Sequence, residues 1–263
     1  MNVPTGGSGG QIVVAGAGYA GLHVAMRLAA KLRGHPAMGL TLVDRHDYHQ
    51  VITELPRVAG GTRAADAVRI PLQDMLAERV RFVQTEINGF DLAGRRLLTK
   101  AGPIGWRRLV LALGSRPNDF AIPGLAERAL SLYSASDAER VWAAVSEALT
   151  AAAAAPDPER QRRMATVVVG GGGATGVELA GELAEILPEV AGRHGLAADR
   201  PAVLLVEAGP TILAGSSPQL IDKAARILAD LGVMPACHTL TGSQPRRCLT
   251  DWRYSHSMAS LSR

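Results

Sequence analysis

Residues 11–44 read QIVVAGAGYAGLHVAMRLAAKLRGHPAMGLTLVD, and this stretch decides the fold of the chain. It opens with a short apolar run, typical of a strand buried on both faces, that leads into a glycine turn over residues 16–21. Apolar residues then recur at helical spacing as far as Leu32, and a second apolar run over residues 40–43 is closed by Asp44. The stretch therefore predicts one complete strand–helix–strand unit of a doubly wound α/β fold.

Three glycines of the turn have the spacing GxGxxG. Gly16 allows the tight turn after the strand, Gly18 lets the backbone approach a pyrophosphate, and Gly21 lets the helix lie close to the sheet. Unpaired amides and the helix dipole at this end attract an anion, and Asp44 stands where an acid accepts the hydroxyls of a ribose. The combination predicts a dinucleotide site, whereas the glycines alone would also fit an empty doubly wound fold.

The same pattern returns later in the chain. An apolar run over residues 166–169 precedes a second glycine turn, and the run over residues 202–206 is closed by Glu207. The glycines with the required spacing in the second turn are Gly171, Gly173 and Gly176. Two such sites on one chain indicate two cofactors that exchange electrons, typically a bound flavin and a diffusible nicotinamide. Because no arginine directly follows Glu207, we expect NADH rather than NADPH.

Composition narrows the class of protein. The 263 residues are enough for one large domain or two ordinary ones, and 47% hydrophobic with 4% aromatic content suits close-packed βα layers. The net charge is +4, but the arginines are scattered, and the densest group, Arg160, Arg162 and Arg163, is too small to indicate a nucleic-acid partner.

No apolar run approaches the ~20 residues that span a bilayer, and residues 1–10 do not resemble a signal peptide. We therefore expect a cytoplasmic protein.

Between and beyond the two units we expect four further elements. They are a half-buried strand over residues 80–87, its hairpin partner over residues 95–99, a buried strand over residues 106–113 and a helix over residues 137–155.

Histidine and cysteine give no clear chemistry. His46 and His49 follow Asp44, but no third metal ligand accompanies them, so we interpret both as solvated loop residues beside the cofactor. Cys237 and Cys248 have neither CxxC nor zinc-site spacing. We assign them no role.

Five stretches carry a likeness to a known family: residues 16–22, 47–61, 109–114, 176–183 and 206–210. On these residues the chain resembles the two-dinucleotide flavoproteins called type II NADH dehydrogenases, the NADH:quinone oxidoreductases that pump no protons. The likeness spans roughly residues 11–233. It implies two Rossmann-like units, with the N-terminal part of an FAD-binding domain in residues 1–125 and an incomplete NADH-binding domain in residues 126–233.

The resemblance also implies roles for individual residues. The FAD pyrophosphate would lie on Gly16, Ala17, Gly18, Tyr19, Ala20 and Gly21. Asp44 with Arg45 would hold the adenosine ribose, and Ile87 would meet the adenine through its backbone. The second glycine turn and Glu207 would hold NADH.

Glu178 follows the last glycine of the second turn by two residues. It matches an acid that lies beside the nicotinamide and flavin rings in the family, which would make it a catalytic residue. The alternative is a carboxylate near a helix N-terminus that only complements the helix dipole.

The electron acceptor is inferred partly by exclusion. No cysteine precedes residue 237, so neither the redox-active pair of a disulfide reductase nor the single cysteine of a flavin peroxidase is present in the βαβ units. Hydride would pass from NADH to FAD, and the resemblance implies a quinone as the next acceptor. It also allows a homodimer and contact with the cytoplasmic face of a membrane. The alternatives are a related flavoprotein reductase with another acceptor and a nucleotide-binding remnant without turnover.

The likeness ends near residue 233. Residues 234–263 are rich in Ser and Arg and show no clear strand or helix period, so we expect a divergent, disordered tail of the kind that a frameshift produces. The family continues with the rest of the FAD domain. Without that part we expect exposed apolar surface, weak flavin affinity and low stability, which tight stoichiometric FAD would refute.

Overall fold

The computed structural model describes residues 10–197, 199 and 201–237. The chain divides into two compact units. Of the described residues, the first unit contains those up to Leu55 and those from Ala64 to Asp137, and the second contains Pro56–Arg63 and those from Ala138 to Cys237. The two predicted binding domains, divided at residue 125, stay a prediction.

The strands are β1 (Ile12–Ala15), β2 (Leu40–Asp44), β3 (Tyr48–Gln50), β4 (Arg69–Pro71), β5 (Val80–Gln84), β6 (Ile87–Asp91), β7 (Arg96–Thr99), β8 (Ile104–Gly105), β9 (Arg108–Leu111), β10 (Thr166–Gly170), β11 (Ala202–Glu207) and β12 (Met234–Cys237). The α-helices are α1 (Tyr19–Lys31), α2 (Leu55–Ala59), α3 (Leu125–Arg128), α4 (Ala135–Ala153), α5 (Pro158–Met164), α6 (Ala174–Arg193) and α7 (Pro218–Asp230).

The first unit is built on a parallel sheet with the strand order β5-β2-β1-β9. Every residue of β1 is buried, and alternate residues of the strand contribute to two different cores. Val14 packs with α1 residues such as Leu22, whereas Val13 packs with Leu97 and Ile104 of the antiparallel sheet β6-β7-β8. The apolar run on both faces of β1 is therefore explained by a layer on each side, as expected for a central parallel strand.

The expected strand over residues 80–87 is wrong in its extent. Residues 80–84 form β5, which pairs in parallel with β2, and the hairpin partner of β7 is the separate strand β6. The break falls at Thr85, whose amide donates to the Asp44 carbonyl at 2.8 Å and whose hydroxyl accepts from Ala101 at 3.2 Å. The amide bond is the last one of the β2–β5 ladder, and the separate strand β6 begins at Ile87.

The expected buried strand over residues 106–113 is shorter and less buried than predicted. It is β9, which among the described strands pairs only with β1. Leu111, the last residue of β9, is 59% exposed.

The second unit is also built on a parallel sheet, with the strand order β10-β11-β12. Helix α6 lies against β10 and β11 and buries Leu183 and Leu187. The helix expected over residues 137–155 is α4, which begins two residues earlier and ends at Ala153.

Residues 234–237 correct the expectation of a tail without strands. They form β12, which pairs in parallel with β11 from Leu204↔Met234 to Glu207↔Cys237. Pro235 is tolerated there because β12 stands at the edge of the described sheet. The expected disorder of the tail concerns residues 238–263, which lie outside the described residues.

Candidate functional site

The first glycine turn (residues 16–21) requires two of its glycines for its own packing. Gly16 has φ +101°, and a Cβ at this position would overlap the Ala112 carbonyl. A Cβ on Gly21 would overlap the Gly16 carbonyl oxygen far inside any van der Waals distance. The missing side chain at Gly16 therefore lets the turn pass the backbone that follows β9, and the missing side chain at Gly21 lets helix α1 lie against the turn.

Gly18 differs from its two neighbours in the motif. It is the exposed N-cap of α1 with φ −68°, and a Cβ built on it would meet no atom of the protein within 4 Å. Packing of the protein therefore does not explain this glycine. Open space in front of the unpaired amides of a helix N-terminus is what a bound pyrophosphate requires, so the turn fits the group that the sequence predicts.

The second glycine turn (residues 171–176) repeats this geometry. Gly171 has φ +100°, a Cβ on Gly176 would overlap the Gly171 carbonyl oxygen, and a Cβ on Gly173 would meet nothing within 4 Å. The Gly16 amide donates to the Val43 carbonyl at 2.8 Å, and Gly171 donates to the corresponding carbonyl, Val206, at 2.8 Å. Both predicted turns are thus formed with the same open space at the middle glycine.

Each of the two acids predicted to bind a ribose accepts a hydrogen bond from the glycine turn of its own unit. Asp44 Oδ2 accepts from the Ala17 amide at 2.7 Å, and Oδ1 accepts from the His46 amide at 2.9 Å. Glu207 also accepts one amide on each oxygen. Its Oε2 accepts from the Gly172 amide at 2.5 Å, and its Oε1 accepts from the Gly209 amide at 2.6 Å. Both acids therefore stand at the carboxyl ends of their strands, within reach of the glycine turn.

The charge state of Glu207 follows from these bonds. The Gly209 amide and then the Gly172 amide stabilise the carboxylate, and together they hold the pKa of Glu207 below its ordinary value. The second site therefore carries a negative charge at neutral pH.

The remaining residues predicted for the first site lie at the same edge of its sheet. Asp44 and Gln84 are register partners at the ends of β2 and β5, and Gln84 Nε2 donates to the Arg45 carbonyl at 3.3 Å. Arg45 is exposed, and Ile87 begins β6 three residues after β5 ends. Their cofactor roles stay predictions.

His49 is not the solvated loop residue that the sequence predicts. It lies in β3 opposite Ile70 of β4, and its side chain is 6% exposed. Its Nδ1 lies 3.2 Å from the Ala17 carbonyl oxygen, and its ring meets the Tyr19 ring edge-on at 4.7 Å. His46, in contrast, is exposed, and the described residues contain no group of three or more His, Cys, Asp or Glu that could hold a metal ion.

Glu178 is exposed on α6, so the structure leaves its carboxylate accessible. One turn further along the helix, Glu182 accepts a short hydrogen bond from the Thr62 hydroxyl. A Cβ on Gly60 would lie only 2.6 Å from Glu182 Cγ, so the segment Pro56–Arg63 lies directly against α6. Sequence reasoning missed this contact, although residues 58–61 belong to a stretch that carries the family likeness.

A family model described as Pyridine nucleotide-disulphide oxidoreductase matches residues 10–244. The chain belongs to this family.

Curated relatives of this chain are members of a narrower group. The chain is 30% identical over 224 residues to proteins named Type II NADH:quinone oxidoreductase from Staphylococcus haemolyticus and Staphylococcus aureus. Each alignment covers 85% of this chain and 55% of the relative. The predicted resemblance is confirmed, and the chain spans about half the length of the curated relatives it matches.

Solved structures agree on the fold. The NDH2 of Plasmodium falciparum in complex with NADH has a TM-score of 0.77 at 19% identity, covering 87% of this chain and 48% of that one. The sulfide:quinone oxidoreductase of Aquifex aeolicus has a TM-score of 0.66 at 19% identity, covering 87% and 51%. These matches confirm the predicted α/β fold with two Rossmann-like units.

Pyridine nucleotide-disulphide oxidoreductases take part of their name from a disulphide, but the described part of this chain holds one cysteine, Cys237, which is free. Burial, and then the nearby Glu207 carboxylate, raise the pKa of the Cys237 thiol. A raised pKa lowers the fraction of the thiolate, which is the reactive form of cysteine. Among the same residues, no helix combines the length and hydropathy needed to cross a membrane.

Proposed function

We propose that the chain is the dinucleotide-binding part of an FAD-dependent NADH dehydrogenase with a quinone as its acceptor. The observation that carries the proposal is a glycine turn that occurs twice in a chain of this family. In each copy the middle glycine faces open space, and an acid accepts a hydrogen bond from an amide of the turn. FAD would supply the redox chemistry, accepting a hydride from NADH and passing two electrons onward.

The first glycine turn is assigned to FAD. The amides from Gly18 to Ala20 would face the pyrophosphate, because the first amides of a helix have no carbonyl partner within it. Asp44 keeps lone pairs free on both oxygens after accepting one amide each, so it can also accept the ribose hydroxyls. Arg45 and the Ile87 backbone would complete the adenosine side.

The second glycine turn is assigned to NADH. Gly171, Gly173 and Gly176 shape the turn, and the ionised Glu207 would accept the ribose hydroxyls. A 2′-phosphate at that position would face a negative charge, which supports NADH over NADPH.

Glu178 is the residue we propose to act in catalysis. Its exposed carboxylate would lie beside the nicotinamide and polarise it. The quinone acceptor rests on the names of the staphylococcal relatives. A homodimer at the cytoplasmic face of a membrane belongs to the same proposal.

A second candidate is a nucleotide-binding remnant without turnover. Its support is that Leu111 and Leu113, at and after β9, are exposed.

The test is reduction of bound flavin. The chain is purified, incubated with FAD, freed of unbound flavin and mixed anaerobically with NADH while the absorbance near ~450 nm is followed. A yellow protein that bleaches with NADH more readily than with NADPH, and recovers its colour with a soluble quinone, supports the dehydrogenase. A yellow protein that NADH does not bleach supports the remnant, and a chain that binds neither nucleotide contradicts both candidates.

A further inference from the structure

Both backbone groups of Ala17, the residue between the first two glycines of the first turn, are held by side chains. Its amide donates to Asp44 Oδ2 at 2.7 Å, and its carbonyl oxygen lies 3.2 Å from His49 Nδ1. Because a carbonyl can only accept, Nδ1 must carry the proton and donate. The ring of His49 is fixed by burial and by the edge-on contact with Tyr19.

The orientation of the Ala17 carbonyl determines the orientation of the next amide. The carbonyl of Ala17 and the N–H of Gly18 belong to the same planar trans peptide, so they point in opposite directions. With the oxygen held by His49, the Gly18 N–H faces away from His49, at a residue that is exposed and has no side chain. This amide is one of those that the anion would need.

We infer that His49 is a positioning residue for the pyrophosphate site of the first turn, holding the Ala17–Gly18 peptide so that the Gly18 N–H is presented to the ligand. The inference rests on the proposed function, since it concerns the same site. It assigns a binding role to a histidine whose side chain need not touch the cofactor.

The second glycine turn supplies an internal comparison. The carbonyl that corresponds to Ala17 is that of Gly172, and it accepts from the backbone amide of Leu213 at 2.7 Å. Leu213 adopts φ +50°, a conformation that costs free energy for a leucine. The same peptide is thus held in both turns, by a side chain in the first and by backbone in the second, so a change at His49 should affect the first site alone.

The main experiment compares His49→Phe, which keeps an aromatic ring but loses the donor, with His49→Asn, whose side-chain amide nitrogen is bonded to Cγ as Nδ1 is. Loss of one orienting hydrogen bond predicts that His49→Phe raises the Kd for FAD about tenfold. His49→Asn should restore most of the affinity, and the Kd for NADH should stay unchanged in both variants. His23→Phe, at an exposed histidine on α1, is the matched control.

Two further readouts separate positioning from a general loss of structure. His49→Phe should weaken ADP more than adenosine, since only ADP carries phosphates, and in the ligand-free chain it should speed hydrogen exchange in the first glycine turn. Equal FAD affinity in His49→Phe and the unaltered chain, or equal weakening of ADP and adenosine, would overturn the inference.

Two further comparisons cover a variant that does not fold and a chain that binds no FAD. If His49→Phe does not fold, His49→Asn and His49→Asp provide a pair of equal size in which only the first donates, and equal FAD affinity in this pair would also overturn the inference. If the unaltered chain binds no FAD, the proposed function fails, whereas hydrogen exchange in the ligand-free chain still decides whether His49 holds the turn.

Discussion

Alanine substitutions at two glycines of the first turn should have opposite consequences. A Cβ on Gly21 would overlap the Gly16 carbonyl oxygen, well below the 3.0 Å at which atoms must shift, and neither backbone can yield easily. Overpacking of this kind costs about 3 kcal/mol, at the upper end of the usual range. For a chain of this size such a loss lowers the melting temperature by about 6–12 °C.

Gly18→Ala should leave the fold nearly unchanged and weaken FAD. Its φ of −68° suits alanine and its Cβ meets no protein atom, so the reduced entropy of the unfolded chain roughly offsets a poorer N-cap, with a net effect within about 1 kcal/mol. The methyl group would occupy the space through which the backbone approaches a pyrophosphate. We therefore expect at least a tenfold rise in the Kd for FAD, or about 1.4 kcal/mol.

Melting followed by circular dichroism and FAD titration followed by flavin fluorescence measure the two effects on the same samples. If Gly18→Ala melts as low as Gly21→Ala, the packing argument is wrong. If Gly18→Ala binds FAD normally, the open space does not hold the pyrophosphate. Gly173→Ala and Gly176→Ala repeat the comparison in the second unit, with NADH as the ligand.

Three further outcomes are expected. Glu178→Gln should slow reduction of bound FAD by NADH in rapid mixing without changing the affinity for either, and equal rates would remove Glu178 from the mechanism. Because backbone amides hold the Glu207 pKa below 4.5, the carboxylate contributes stability above about pH 4.5 that is lost as the pH falls through its lowered pKa. Glu207→Gln should therefore reduce the difference in urea midpoint between pH 7 and pH 3, and an unchanged difference would contradict the assignment. Asp157 accepts from the Arg160 amide at 2.8 Å as the N-cap of α5, so Asp157→Ala should cost about 1 kcal/mol by urea unfolding, whereas Asp157→Asn keeps the acceptor and should cost little.

The elements that could be predicted from the sequence are those whose signal is local. Each βαβ unit combines an apolar run, a glycine turn and a helical period within a few dozen residues, and both were found. The break at Thr85 could not be predicted, because the alternation in the sequence continues to Ile87, whereas the partner of the chain changes from β2 to β7. The exposure of Leu111 could not be predicted either, since an apolar run does not reveal whether other elements cover both faces of the strand.

In the candidate site, too, some residues could be predicted from the sequence and others could not. The turn glycines and the acids Asp44 and Glu207 have fixed spacing, so their positions could be predicted. The burial of His49 could not, because its ring lies against Ala17 and Tyr19 and its strand pairs with β4, and a short polar stretch indicates neither. Likewise, nothing in the sequence around Leu213 marks it as the donor to Gly172.

The two glycine turns together indicate what such a turn needs. They share the register of their strands, the hydrogen bond that the amide of the second residue donates to the acid, and a middle glycine that faces open space. They differ in the group that holds the second carbonyl, which is the His49 side chain in one and the amide of Leu213, at an unfavourable φ, in the other. Two unrelated groups that hold the same peptide, one of them at a conformational cost, argue that its orientation is required for the turn to present its next amide. A variant that frees this carbonyl should therefore weaken anion binding in either unit, whichever nucleotide that unit binds.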